Sequence, residues 1–342
     1  MSSVLATATP WDRALHLEQL LGPGTRTITV SASRDPNAKV TVLLLRAGAS
    51  APSLVVKIPT TVVAAMAVDA EAAVLARLPD RLDPGLLAVV PRVVDRLPTR
   101  CGDALVTTAV RGVPLSVRYH RWRHVSRSAL VARDFDVAGR WLTRLQDATG
   151  GPPRPVDFAS PLTVRIGLRF TDAPLLSRVL EHLAGIDRRL RAEATPRTVV
   201  HGDYWAGNVL TDGAEVTGVV DWEAGLARGA PVRDVARFAL AYALSLDRHT
   251  RGGKPVAGHA GLRAGSWGAG LHYAIDGTGW FPRLVQTFTA AHLERLGMRP
   301  ARWRDVLVAG IADCAATADD DAFARRHYDV LVALARRGDD AS

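Results

Sequence analysis

Val199–Asp221 reads V-V-H-G-D-Y-W-A-G-N-V-L-T-D-G-A-E-V-T-G-V-V-D, and this stretch decides the fold. A short β-type run, Thr198–Val200, delivers His201, Gly202 and Asp203 into a polar loop, and Val209-Leu210 resumes the extended pattern. Thr211-Asp212-Gly213 is turn chemistry, and Val216–Val220 is a second apolar run that ends on Asp221. The pattern predicts strand, loop, hairpin and strand, with Asp203, Asn208 and Asp221 at their ends. Phosphoryl transfer needs such a set: a carboxylate near the attacking hydroxyl, and an amide oxygen plus a carboxylate to hold Mg²⁺ on nucleotide phosphates. Asparagine occurs only twice in the chain, at Asn37 and Asn208, so its fall on the metal position carries weight.

H-G-D-x-x-x-x-N followed by V-V-D-W-E resembles the aminoglycoside phosphotransferase and choline-kinase-like family, where H-G-D stands in place of the H-R-D of protein kinases. The resemblance implies an α+β, bilobal protein-kinase-like fold with a small β-rich N-lobe and a larger helical C-lobe. It implies Asp203 as catalytic base, Asn208 and Asp221 as Mg²⁺ ligands and His201 as a structural support of the loop. W-E-A-G-L-A-R-G-A-P-V-R-D-V-A is similar to the family's D-W-E…G-x-P-x-x-D-L-A, which gives Asp234 the part of bracing the loop from the next helix. Glu223 either assists a second metal or binds nothing. A-L-V-T-T-A-V-R-G-V-P-L resembles the last N-lobe strand, the hinge and the entry to the second lobe. Backbone groups around Thr107–Val110, with Thr108 and Val110 foremost, would then meet the purine edge, which does not choose ATP over GTP. The lobes divide into residues 1–110 and 111–342.

Lysine is as telling as asparagine. Of 43 cationic residues only Lys39, Lys57 and Lys254 are lysines. Lys57 ends the strand L-V-V-K-I-P, and Glu71 follows fourteen residues later on a helix predicted over Val62–Leu78. Glu71, Val74, Leu75 and Leu78 share one face of that helix. A glutamate opening an apolar stripe points inward and must be paired there. Lys57 is the natural partner, its ammonium aimed at the α and β phosphates.

Around these residues the chain reads as a helix over Asp12–Leu21, strands at Thr25–Ser33, Lys39–Arg46 and Ser53–Ile58, and further strands at Val89–Leu97 and Ala104–Val110. The turn S-A-S-R-D-P-N-A-K has no glycine. It is either a plain hairpin turn or the loop over the nucleotide phosphates, with Ser31, Ser33 or backbone amides as donors. Helices are predicted over Ser126–Gln146, Ala173–Ala194, Val232–Leu246, Pro282–Leu296, Arg302–Ala316 and Ala322–Arg337. Gly252–Gly279 is a substrate-side insertion or a long surface loop.

Composition excludes several classes. Charged residues make up 23% and hydrophobic ones 48%, the balance of a folded chain. Two cysteines make no disulfide framework, which fits a reducing cytoplasm, and no apolar run reaches the ~18 residues of a membrane span. G-x-S-x-G and Walker-type motifs are absent, so hydrolase and P-loop readings drop out. Twelve residues between Asp221 and Asp234 are too few for a peptide-binding activation segment, which argues against a protein kinase. R-Y-H-R-W-R-H (118–124) suggests zinc or nucleic acid only weakly. It has no acid or cysteine beside its histidines and is better read as a substrate wall or a solvated face.

The expectation is a nucleotide-dependent O-phosphotransferase acting on a hydroxyl of a small molecule, with an inactive nucleotide-binding scaffold as the remote alternative. For the acceptor, Gly112–Ser128 has four arginines and no carboxylate, and Ser245–Pro282 has four cationic residues against two acids. A wall of that charge predicts a neutral or anionic glycoside, nucleoside or antibiotic, with Trp205, Arg121 and Trp267 touching it. An aminoglycoside or amino-alcohol acceptor would instead need a wall such as Asp319–Asp321.

Overall fold

A computed structural model describes residues 15–32 and 37–339. Ser33, expected over the phosphates, and the first part of the helix expected over Asp12–Leu21 lie outside the described residues. What is described of that helix is a 3₁₀ turn, Leu17–Leu20, preceded by His16 at φ 48°.

The first half builds one antiparallel sheet from β1 (Arg26–Ala32), β2 (Lys39–Leu45), β3 (Leu54–Pro59), β4 (Val93–Thr99) and β5 (Gly102–Thr108). Its strand order is β1-β2-β3-β5-β4. Period-2 alternation puts Val40, Val42 and Leu44 of β2 with Val56 and Ile58 of β3 on one buried face, closed by Leu17. Lys57 therefore points to the other face. Helix α1 (Val62–Arg77), capped by the Thr61 hydroxyl accepting from the Ala64 N–H, covers that face and packs Val68 and Ala72 on Leu105. Leu105 is the cross-strand partner of Lys57.

The chain leaves β5 at Thr108 and forms β6 (Val113–Pro114). The second half is helical: α2 (Ser128–Thr149), α3 (Ser160–Arg169), α4 (Leu176–Arg191), α5 (Val232–Ala243), α6 (Ala269–Asp276), α7 (Trp280–Arg295), α8 (Trp303–Thr317) and α9 (Asp321–Asp339). Phe135, Trp141, Leu142 and Leu145 of α2 meet Phe238 of α5, Phe281 and Val285 of α7 and Ile311 of α8 in one core. Four short strand pairings tie in the Val199–Asp221 stretch. A ribbon of β7 (Pro153–Pro155) and β8 (Ala194–Pro196) leads into β9 (Thr198–Val200). β10 (Val209–Thr211) pairs with β6 and with β11 (Val216–Val219), and β9 pairs with β12 (Leu226–Gly229). The architecture is the mixed, two-lobed one expected, and no described helix is long and apolar enough to cross a membrane.

Among the elements that differ from expectation are α3 and also α6, a helix inside the Gly252–Gly279 segment. α3 lies outside the helices the sequence predicts, because Thr163, Val164 and Gly167 lower its helix propensity; Pro161 sits harmlessly in the first turn, and the helix forms by burying Leu162 and Ile166. The Gly252–Gly279 segment is pinned rather than loose: His259 Nε2 donates to the Val125 carbonyl at 2.8 Å and Trp280 Nε1 to that of Gly258 at 2.7 Å.

The helical core also sets a pH dependence. His292 and His327 are buried, and burial holds both imidazoles at about 4, below the ordinary 6.5. A depressed folded pKa gives stability that is complete above about 6.5 and lost as pH falls towards 4, because only the unfolded histidines take up protons. The gap corresponds to about 3 kcal/mol per histidine. Urea titrations between pH 7 and 4 should show that decline; constant stability over the window would contradict it.

Candidate active site

β9 ends at Val200, and the next three residues turn sharply. Gly202 has φ 82°, and a Cβ there would strike the Ala224 carbonyl, so the H-G-D glycine is required by the close approach of β12's lead-in. Asp234, in the first turn of α5, accepts the His201 N–H at 2.7 Å on one oxygen and the Gly202 N–H at 2.8 Å on the other. Burial raises its carboxyl pKa against the pull of His201 and those two N–H groups. His201 Nε2 donates to the Val220 carbonyl at 2.9 Å, so Nδ1 is left to accept the Asp203 N–H at 3.2 Å. Tyr204 and Trp222 lie against the same imidazole, and the Tyr204 hydroxyl donates to Ala138 of α2. The loop is thus fastened to α2, α5 and β11.

Asp203 rests half-buried at the end of this loop. Asn208 Nδ2 donates to both the Asp203 carbonyl and Oδ2, at 3.0 Å each, which turns Asn208 Oδ1 the opposite way. The hairpin from Val209 to Val219 then returns the chain to Asp221, held in the left-handed region at φ 65°, a conformation that aspartate tolerates better than most residues.

Lys57 reaches Asp221 across the gap between sheet and loop. Its ammonium lies 2.7 and 2.6 Å from the two Glu71 oxygens and also donates to Asp221 Oδ1. The pairing read from the sequence is present, and Asp221 completes it. Burial pulls the Lys57 ammonium down, but Glu71 and Asp221 together carry its pKa above the ordinary lysine value. Burial pushes the Asp221 carboxyl up, yet Lys57 and Lys39 hold it at about 2. Lys39, the first of the three lysines, pairs with Glu223. Oxygens of Glu71, Asp221 and Glu223 lie within 4.8 Å of one another. These three carboxylates form a hard, all-oxygen donor set, which fits Mg²⁺ and not a soft metal.

Asp203 opens on a cleft of about 300 Å³ whose wall includes Glu223, Arg233, Arg237, Asp313, Asp319 and Asp320. Arg237 pairs with Asp203, and Arg233 with Asp313 at 2.8 Å. Asp319 accepts the Asn37 amide at 2.7 Å, and Asp320 caps the start of α9 through the Phe323 N–H at 2.5 Å. Among the described residues neither of these two carboxylates has a cationic partner. The wall is therefore acidic, and the expected arginine wall is not there. Arg121 lies with Arg118 and Arg133 around the β10–β11 turn, in a separate hollow. Trp267 packs edge-on against Phe323 and His327 of α9, behind the cleft. Trp205 lies over Gly207 in its own loop, where no Cβ would fit, and does not line the cleft. His124, with no acid beside it in sequence, meets one ten residues on: Asp134 at 2.7 Å, shared with the Tyr242 hydroxyl, a structural network and not a zinc site. At the hinge, Thr108 donates its N–H to the Arg92 carbonyl, and its hydroxyl accepts the Arg92 N–H at 3.0 Å.

Sequence reading missed the parts of Lys39 and Arg237, and it gave Asp319–Asp321 only as the alternative wall. The scarcity of lysine was a usable signal for the first, and the i, i+3 spacing from Asp234 for the second.

This backbone is similar to that of the aminoglycoside phosphotransferase APH(4)-Ia, at TM-score 0.61 and 14% identity over 96% of this chain and 99% of the other. A thermostable mutant of APH(4)-Ia in ternary complex with AMP-PNP and hygromycin B gives 0.60 at 14% identity, over 94% and 97%. APH(3'')-Id from Streptomyces rimosus ATCC10970 gives 0.51 at 17% identity, over 88% and 98%. Identities this low speak for the fold alone. No curated protein matches by sequence. The model of the phosphotransferase enzyme family, however, matches residues 37–273, a span that holds Lys57, Glu71, the whole Val199–Asp221 stretch and Asp234. Matched over more than half its length, the chain belongs to the phosphotransferase enzyme family.

Proposed function

We propose that this phosphotransferase moves the γ-phosphoryl group of ATP or GTP to a hydroxyl of a small molecule that carries ammonium groups. The observation that carries the acceptor reading is the acidic wall beside Asp203, with Asp319 and Asp320 free of cationic partners among the described residues. Carboxylates around a low-dielectric cleft attract a polycation and repel anions. The related complex with hygromycin B supports the same class of acceptor.

In this reading Asp203 receives the acceptor hydroxyl and takes its proton as the oxygen attacks the γ-phosphorus, and the nucleoside diphosphate leaves. Lys57, held by Glu71, grips the phosphates. Asn208 and Asp221 are the proposed Mg²⁺ ligands, and the ion supplies charge neutralisation on the phosphates. His201 and Asp234 keep the loop rigid, which is what positioning demands. Val110 is the proposed base-contacting hinge residue, the lobe boundary lies near Arg111, and a reducing cytoplasm suits the free Cys101 and Cys314.

Initial-rate kinetics on a charge-matched acceptor panel test the proposal. Hygromycin B and other polycations should exceed neutral sugars and nucleosides at least about tenfold in kcat/KM, and added salt should narrow the gap. Asp319→Asn with Asp320→Asn should raise KM for the polycations only. Faster turnover of neutral or anionic acceptors would contradict the reading.

A further inference from the structure

We propose that Arg237 is a positioning residue for the transfer: it fixes the Asp203 carboxylate and sets a permanent positive charge beside the attacking oxygen. The proposal rests on the phosphotransfer reading above. Arg237 lies one turn after Asp234, so both project from one face of α5. Asp234 holds the backbone of the catalytic loop, and Arg237 holds its side chain.

The geometry is specific. Arg237 Nε donates to Asp203 Oδ1 at 2.9 Å, and Nη2 lies 2.6 Å from the same oxygen. Asn208 donates to Oδ2, so each carboxylate oxygen is held from a different element and the group cannot rotate. A planar guanidinium suits this two-nitrogen grip in a way a lysine ammonium does not. Nη1 meets the Cys314 thiol at 2.7 Å, a weak acceptor that leaves most of the cationic charge to Asp203 and the cleft. Arg237 and Asp203 both line the cleft, so a hydroxyl seated on Asp203 has the guanidinium as a neighbour. A fixed cation there opposes the negative charge of the phosphoryl group in flight without reorganising.

A purely structural arginine, tying α5 to Cys314 of α8, is the competing explanation, and the test separates the two. Mg²⁺-dependent ATP turnover is followed with hygromycin B and with water as acceptors. Arg237→Gln should lower kcat about 100-fold with KM for ATP changed less than about threefold. In the Asp203→Asn background the same substitution should cost less than about threefold, because the two groups act as a unit. Arg237→Ala should regain at least about tenfold with added guanidinium, and Arg237→Lys should retain part of the rate. If Arg237→Gln fails to fold, the rescue of Arg237→Ala and the lysine variant carry the test. A kcat for Arg237→Gln within about threefold of wild type, or losses that multiply in the double variant without guanidinium rescue, overturns the proposal. Absence of any turnover in the wild type removes the phosphotransfer reading itself, and Arg237's part with it.

Discussion

Asp203→Asn lowers kcat by about 10²–10⁴-fold while nucleotide affinity and melting temperature stay close to those of the wild type. The size follows from the one role assigned to this side chain, to receive the acceptor proton and aim the attacking oxygen. The selectivity follows from the surroundings. The loop that carries Asp203 is fastened by Asp234, His201 and Tyr204, none of which depends on its carboxylate. Asparagine keeps one oxygen for Asn208 or Arg237 and loses only the basic site and the charge. In the proposed site the nucleotide is gripped elsewhere, by Lys57 and the oxygens around Asp221. Stopped-flow and steady-state rates with calorimetric nucleotide binding check the split. A kcat within about tenfold of wild type would take the role away from Asp203.

Asp221→Ala has the second large effect, and it appears in binding instead of in the chemical step. Mg²⁺-dependent nucleotide affinity should fall by at least about 100-fold, since the substitution removes the charged member of the proposed ligand set. The fold should survive, because Lys57 keeps both Glu71 oxygens at 2.7 and 2.6 Å. Lys57 and Lys39 hold Asp221 at about 2, so it stays ionised across the working range and contributes no acid limb to the pH–rate profile. Calorimetric titration of Mg²⁺-nucleotide into the variant decides the point, and unchanged affinity would refute the metal assignment.

These two residues were legible because their signals are local. Asp203 and Asn208 sit five apart in one loop, Asp221 ends the hairpin that follows, and Asp234 opens the next helix. Lys57 and Glu71 were legible for a different reason: a strand of known register and a helix stripe both pointed inward, and two buried opposite charges must meet. The proposed acceptor wall was legible only as an alternative, the acidic run Asp319–Asp321, with nothing to place it at the cleft. Asp313, Asp319 and Asp320 come about a hundred residues after Asp203, and only the packing of α8 against α5, with α9 packed on α8, brings them to the cleft. The arginines of residues 112–128 looked like a wall because they are dense in sequence. Once folded, Arg118 and Arg121 surround the far turn of the hairpin. Trp267 shows the same limit: an aromatic side chain suits a sugar and a core equally well, and here Phe323 and His327 claim it. Arg237 was one of many arginines in a chain whose cations are nearly all arginine, so composition hid it.

The most direct measurement is transfer itself. Hygromycin B is incubated with Mg²⁺ and γ-labelled ATP, together with either the wild type or Asp203→Asn, and the acceptor is then analysed by mass spectrometry. Transfer through Asp203 to an ammonium-bearing acceptor predicts one labelled phosphoryl group on a hydroxyl with the wild type and a rate at least about 100-fold lower with the variant. Equal labelling by the two proteins, or label that goes to neutral sugars and nucleosides while hygromycin B stays unmodified, would contradict it.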